Sequence, residues 1–223
     1  NDFSSYQGTL TKTEDNPSNV FATMNTLVRR PSSSYVFSNG NNRVRFSTAS
    51  QSFTNTSTLG SNTGKWYAEC KIVSSTSAST VTVGASRLNY SSDWWETSQG
   101  ELPYKLGGIS LNENGYVYWD ENGSGTSANL GTTFAQNDII GIAIDLDSTP
   151  KKIYFYKNGT IINSSGQSIS DLKGYSSDDV LGFCHGGTHN SGDDVVVDWN
   201  FGNGYFASTA VSSAGTNASG INL

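Results

Sequence analysis

The chain has 223 residues and a net charge of −6, with 35% hydrophobic and only 14% charged residues. That length suits a single domain, and Gly, Ser, Thr and Asn make up the difference, as they do where many short strands are joined by turns. A duplex-binding surface needs a Lys/Arg stripe, but only Arg29-Arg30 and Lys151-Lys152 cluster, so nucleic acid is excluded; no apolar run approaches the roughly 20 residues of a membrane span.

Residues 1–30 are polar, with Val20, Phe21, Met24 and Leu27-Val28 spaced as in a short amphipathic turn or an extended arm. Tyr35-Val-Phe and Val44-Arg-Phe46 read as strands around the turn-forming Ser38-Asn-Gly-Asn-Asn42. Ser47 to Thr63 reads as a polar connection, followed by a strand over Trp66–Val73, a second polar connection from Ser74, and a strand over Val81–Ala85. A long loop, Arg87 to Leu106, carries Asn89, Tyr90, Asp93, Trp94, Trp95, Glu96 and Tyr104. Gly108-Ile-Ser-Leu and Gly115-Tyr-Val-Tyr-Trp-Asp120 read as a hairpin over Asn112–Gly115, and Glu121 to Gly131 as a Gly/Ser-rich loop.

The most regular stretch runs from Asp138 to Gly159. Ile140, Ile142 and Ile144 alternate with Gly141, Ala143 and Asp145, a period of two with small residues on the second face. Ile153 to Lys157 is β-branched and aromatic, and Asn158-Gly159 suits the positive φ angles of a tight hairpin turn. With the short turn containing Pro150, these pieces predict an antiparallel meander. Ile162 to Asp179 reads as irregular, Leu181–Cys184 as a strand, His185 to Asp194 as a polar loop and Val195–Phe201 as the closing strand. Helix is expected to be negligible. Cys70 and Cys184 read as two buried thiols, with a disulfide between neighbouring strands as the lesser alternative.

Four pieces in register carry a resemblance to a known family. Asp138-Ile-Ile-Gly141 through Phe155-Tyr-Lys-Asn-Gly159 is similar to the core signature of the SPRY domain. Gly64-Lys-Trp-Tyr-Ala-Glu69 resembles its Gly-x-x-Tyr-x-Glu strand, Val81-Thr-Val-Gly84-Ala its Val-Gly-Ile-Ala strand, and Asn200-Phe201-Gly202 its closing motif before a final aromatic, here Phe206. The resemblance implies an all-β, two-sheet antiparallel sandwich of the concanavalin A-like kind. It places an N-terminal arm and first strands at residues 1–59, the sandwich at 60–206 and a polar extension or linker at 207–223. The apolar phases of the matched strands put Trp66, Val83, Ile142, Ile144, Phe155, Phe183 and Phe201 in the core. The flanks Asn16-Pro-Ser-Asn-Val-Phe-Ala-Thr-Met-Asn25 and Phe201-Gly-Asn-Gly-Tyr-Phe206 resemble SPRY-containing structural proteins of tailed bacteriophages.

Catalytic patterns are weak. A glycosidase needs two carboxylates about 5–9 Å apart across a cleft, and Asp145/Asp147, Asp120-Glu121 and Asp193-Asp194 form no such cluster in the sequence. Asp145 reads as a strand-end residue bonded into a turn. No Gly-x-Ser-x-Gly elbow accompanies His185 and His189. His185, His189, Asp193 and Asp194 have the residue types of a transition-metal site, and Asp93/Glu96 or Asp145/Asp147 those of a calcium site. A solvated loop is the favoured reading, so no metal, cofactor or catalysis is expected. The aromatic loop, with Tyr90 and Tyr104, is the candidate ligand surface: Trp94 or Trp95 as the stacking platform, and Asn89, Asp93 and Glu96 as hydrogen-bonding groups. Packing of the tryptophans into the chain's own core or against a neighbouring subunit is the alternative.

These features predict a non-catalytic virion module of a tailed phage, made in the host cytoplasm. It would be a capsid decoration, fibre or spike that contacts neighbouring virion proteins or a host surface glycan, as a homo-oligomer such as a trimer. A cellular SPRY adaptor that recognises a partner's peptide is the alternative, followed by a glycan-active enzyme.

Overall fold

The computed structural model describes residues 21–30, 35–47, 51–75, 79–88, 102–121, 124–189 and 194–212. With strands numbered in chain order, one sheet runs β1 (Met24–Arg30), β4 (Gln51–Ser61), β14 (Leu181–His189), β6 (Ser79–Arg87), β7 (Gly108–Asn112), β8 (Tyr116–Glu121), β9 (Ser124–Asn129). The other runs β12 (Thr160–Ile161), β11 (Lys152–Lys157), β10 (Ile139–Asp145), β5 (Lys65–Ser74), β15 (Val195–Asn200), β3 (Arg43–Phe46), β2 (Tyr35–Ser38), with β13 (Gln167–Ser168) beside β11. A small hairpin of β16 (Tyr205–Phe206) and β17 (Thr209–Ala210) follows the closing strand. All pairings are antiparallel, and the only helical element among the described residues is a 3-10 turn at Pro103–Leu106. The expected two-sheet sandwich is therefore present.

The core lies where strand alternation directs it. Ala68, Cys70 and Ile72 of β5, Ile140, Ile142 and Ile144 of β10, and Ile153 and Phe155 of β11 are all buried on one sheet. Val81, Val83, Ala85, Ile109, Leu111, Val117 and Trp119 are buried on the other, in the same cluster. Phe46 of β3 stacks on Phe53 of β4 with ring centroids 4.4 Å apart. The Tyr35 hydroxyl donates to the Thr54 carbonyl at 2.8 Å, and Trp199 Nε1 donates to His185 Nδ1 at 3.2 Å. Rings and hydrogen bonds thus tie the two sheets at one end of the core.

The meander has the predicted form. Ile140–Asp145 pairs residue for residue with Lys152–Lys157, and Asn158 and Gly159 have φ of 48° and 80°. Asn158 Oδ1 accepts from the Ile139 amide at 2.8 Å, and its Nδ2 donates to Asp138 Oδ1 at 2.7 Å. This pair of side chains locks the start of one strand to the end of the next.

Several expectations are corrected. Residues 51–61, read as part of a polar connection, form β4, hydrogen-bonded on both sides to β1 and β14. The strand read as Leu181–Cys184 extends to His189, and His185 and His189, read as loop residues, are buried in it. The Gly/Ser-rich stretch after Glu121 contains β9. Trp66 is on the core-facing phase but is 51% exposed. It stands one residue inside the start of β5, and its indole folds back to donate to the Thr63 carbonyl at 2.7 Å. Phe201 packs partly buried against the core, stacked on Trp199 at 5.3 Å. Cys70 and Cys184 are free and buried, and burial raises both thiol pKa values.

Candidate recognition surface

Asn89, Tyr90, Asp93, Trp94, Trp95 and Glu96 lie outside the described residues; Tyr104 and both roots of their loop lie within them. The roots are fixed from below. Arg87, at the end of β6, is buried, and its guanidinium donates to the Gly174 and Lys173 carbonyls at 2.9 Å each and meets Asp179 at 3.3 Å. Charge-assisted bonds of this kind are stronger than neutral ones. Gly107 has φ 71°, and a Cβ there would sit 2.6 Å from the Arg87 guanidinium, so only glycine admits the arginine. The Leu88 amide donates to the Val180 carbonyl at 2.8 Å.

Both roots rest on glycines of the outer face of the first sheet. A Cβ on Gly182 would meet Leu88 at 2.9 Å, and one on Gly186 would meet Pro103 at 2.7 Å. These two glycines of β14 leave the flat surface on which the chain departs and returns.

Tyr104 leads into a row of rings. Its centroid lies 5.5 Å from Tyr118, which lies 6.1 Å from Tyr116, with interplanar angles of 30° and 31°. Strand alternation turns Val117 and Trp119 into the core and leaves Tyr116 and Tyr118 half-buried on the outer face. Across β9, Ser127 faces Tyr118 and Asn129 faces Tyr116. A half-buried tyrosine presents an apolar face and a polar tip, which suits it to ligand contact. Sequence reading missed Tyr116 and Tyr118, although the alternation Tyr-Val-Tyr-Trp-Asp120 marks them as one face.

Four of the residues weighed for catalysis and metal binding, Asp145, Asp147, His185 and Asp194, have other roles. Asp145 accepts from the Asp147 and Ser148 amides at 3.1 and 3.0 Å and from the Ser148 hydroxyl at 2.6 Å, and pairs with Lys65 at 3.0 Å. The Ser148 bond foremost holds its carboxyl well below the usual range. Asp147 accepts from the Gly64 amide at 2.7 Å. Both carboxylates thus organise the turn after β10, as the sequence suggested for Asp145. Burial lowers His185 to about 3, and its Nδ1 is taken by Trp199. Asp194 pairs with Arg45, and Asp193 lies outside the described residues. Among the described residues, no three potential ligands gather as a metal site would need.

No family model and no curated protein matches the sequence. Solved structures do match the fold. A human SPRY domain aligns at 16% identity and TM-score 0.53, covering 75% of this chain and 94% of its own. The SPRY domain of human HERC1 aligns at 15% identity and TM-score 0.56, covering 79% of this chain and 96% of its own. The sandwich is therefore SPRY-like in fold.

Proposed function

We propose that this chain is a non-catalytic recognition module that binds its target through the Asn89–Tyr104 loop and the adjoining Tyr104–Tyr118–Tyr116 row. The observation that carries the reading is the continuity of that row with a loop whose roots are clamped by Arg87 and seated on Gly182 and Gly186. A rigid base under a variable loop is how β-sandwiches present binding residues. Aromatic rings supply contact area at low entropic cost. The commitment of Asp145, Asp147 and His185 to turn and core supports a non-catalytic role.

The setting we assign is a tailed-phage virion, where the module decorates a capsid, fibre or spike as an oligomer. This rests on the flanking sequences and on the low charge. Many copies would raise avidity for a weakly bound glycan or neighbouring protein. The second reading, an adaptor that recognises a partner's peptide in a cell, draws on the likeness to two human SPRY domains.

Panning the domain against a displayed-peptide library and a glycan panel tests the function. Ligands recovered should lose at least about tenfold in affinity, or ~1.4 kcal/mol, on Tyr118→Ala with the melting temperature little changed. Polysaccharide turnover that disappears in Asp145→Asn would overturn the non-catalytic assignment.

A further inference from the structure

A second surface lies on the other sheet. The outer face of β5, β10 and β15 does not meet solvent as a flat sheet: the β16–β17 hairpin folds beside it and encloses a groove of about 450 Å³. The volume is within the range of small-ligand and side-chain pockets. Phe206 of the hairpin is buried here, outside the main core cluster. The groove is lined by Tyr67, Glu69, Lys71, Asn200 and Ala210, among others.

The polar groups in it are oriented. Tyr67 donates its hydroxyl to Glu69 Oε1 at 3.0 Å, and Asn200 Nδ2 donates to Oε2 at 3.3 Å. Asn200 is itself fixed, because its Oδ1 accepts from the Gly202 and Gly204 amides at 3.0 and 3.3 Å. The Tyr67 ring lies across Gly141 of β10, where a Cβ would sit 2.3 Å from the phenol oxygen, and meets Tyr156 edge-on at 6.0 Å. The Glu69 carboxylate is thus held by two neutral donors. With about four acceptor positions on a carboxylate, two remain for a ligand, and no described cation pairs with it.

Lys71 stands two residues along on the same strand face, hence about 6.7 Å from Glu69 by strand rise. Its cross-strand neighbours are Ile139 and Asp198. Asp198 is already engaged by Arg43 at 2.6 and 2.7 Å, and Lys71 has no ion pair among the described residues. The groove floor therefore offers one oriented negative and one positive group at the spacing of alternate residues in an extended chain.

We infer that this groove binds an extended partner segment carrying a basic and an acidic side chain two residues apart, the basic group against Glu69 and the acidic group against Lys71. Charge complementarity selects this occupant: a purely cationic segment meets Lys71, and a purely anionic one meets Glu69. The apolar Phe206 and the Tyr67 ring accommodate the stem of the basic side chain.

The probe is the capped tripeptide acetyl-Lys-Gly-Asp-amide, titrated into the labelled protein while amide shifts are followed by NMR. Binding on the order of millimolar is expected, with shifts confined to the groove. Analogues with norleucine for lysine or asparagine for aspartate should bind about fivefold more weakly or worse. Lys71→Met and Glu69→Gln should each weaken the parent peptide similarly. Ala210→Trp, at an exposed position of the hairpin, should block the groove with its charges intact, so the test survives if Glu69→Gln fails to fold. Equal shifts from the uncharged analogues, unchanged binding in Ala210→Trp, or no groove shifts at all would overturn the inference.

Discussion

The β10–β11 pair and the β4–β14 pair are both buried, but by different chemistry. In β10–β11 the inward phase is hydrocarbon, namely Ile140, Ile142, Ile144, Ile153 and Phe155. Polar side chains close its ends, at Asp138, Asn158 and Asp145. Asn163 serves the outer edge of β11, its Oδ1 accepting from the Phe155 amide at 2.6 Å and its Nδ2 donating to the Ile153 carbonyl at 3.2 Å. In β4–β14 the buried residues include Asn55, Thr56, Ser57 and His185, and two of them serve irregular neighbours. Asn55 Nδ2 donates to the Asn25 carbonyl at 2.7 Å and also to that of Val28, beside the register shift in β1. The Ser57 hydroxyl accepts from the Phe183 amide at 3.0 Å and donates to the Leu59 carbonyl at 2.7 Å, beside the shift in β14. Where the ladder is regular, as between β10 and β11, each strand satisfies its neighbour's backbone and the inward phase is free to be oily. A strand between bulges must supply side chains for backbone groups that the ladder leaves unpaired.

The largest effect should come from the hydrocarbon pair. Phe155 is fully buried, so Phe155→Ala should cost about 3–5 kcal/mol in urea unfolding. A loss below about 1 kcal/mol would mean that β11 is not packed as described. The polar pair should respond to a change that keeps the branched side-chain skeleton and removes hydrogen bonding. Asn55→Leu does so, strands two carbonyls and should cost about 1–3 kcal/mol. If Asn55→Leu were neutral or stabilising, side chains would not be needed at the β1 bulge and the contrast between the pairs would fail.

The same contrast decides what was legible in the sequence. The meander was readable because period-two alternation, an Asn-Gly turn and burial all agree there. The central polar strand was not. Ser-Phe-Thr-Asn-Thr-Ser-Thr from Ser52 onward has one large apolar residue, and its remaining burial depends on bulges that no local pattern announces. His185 and His189 looked like loop residues for the same reason. Trp66 had the right phase, but phase alone does not mark a position one residue from the strand start. For the candidate site, the loop was visible as an aromatic insertion, whereas Tyr116 and Tyr118 joined it only through β7–β8 pairing. The groove on the other sheet left one trace: Gly141 and Ala143 on the outer phase of β10 left space for the Tyr67 ring.

Acid should separate the buried polar groups. Unfolded, His185 takes a proton near 6.5; in the fold, burial lowers its pKa to about 3. The unfolded chain binds more protons between those values. The stability contributed by the neutral ring is therefore complete above about pH 6.5 and is lost as pH falls toward 3, by at most ~1.4 kcal/mol per pH unit. Glu113 at the β7–β8 turn opposes this. Burial raises its carboxyl to about 7, against a bond from the Val81 amide that lowers it. The folded chain then binds more protons between about pH 4.5 and 7, so stability from this source grows as pH falls, and partial exposure reduces its size. Urea unfolding of the wild type should weaken gently from pH 6.5 to 4.5 and more steeply below, and Glu113→Gln should steepen the upper window. An unchanged upper slope in that variant would show that Glu113 titrates normally. The smallest effect should be at Trp66, where the half-exposed indole predicts a cost of about 1 kcal/mol for Trp66→Ala. A cost like that of Phe155→Ala would put Trp66 back in the core.

The central functional claim is that the loop and tyrosine row form one binding surface. The direct measurement is the affinity of a ligand recovered on the wild type, titrated into Trp94→Ala, Trp95→Ala, Tyr118→Ala and Ala210→Trp by calorimetry, with each variant's fold checked by melting. The account predicts losses of about tenfold or more in Tyr118→Ala and in at least one tryptophan variant, with Ala210→Trp, on the β16–β17 hairpin beside the other sheet, unchanged. Wild-type affinity in all three aromatic variants would contradict it.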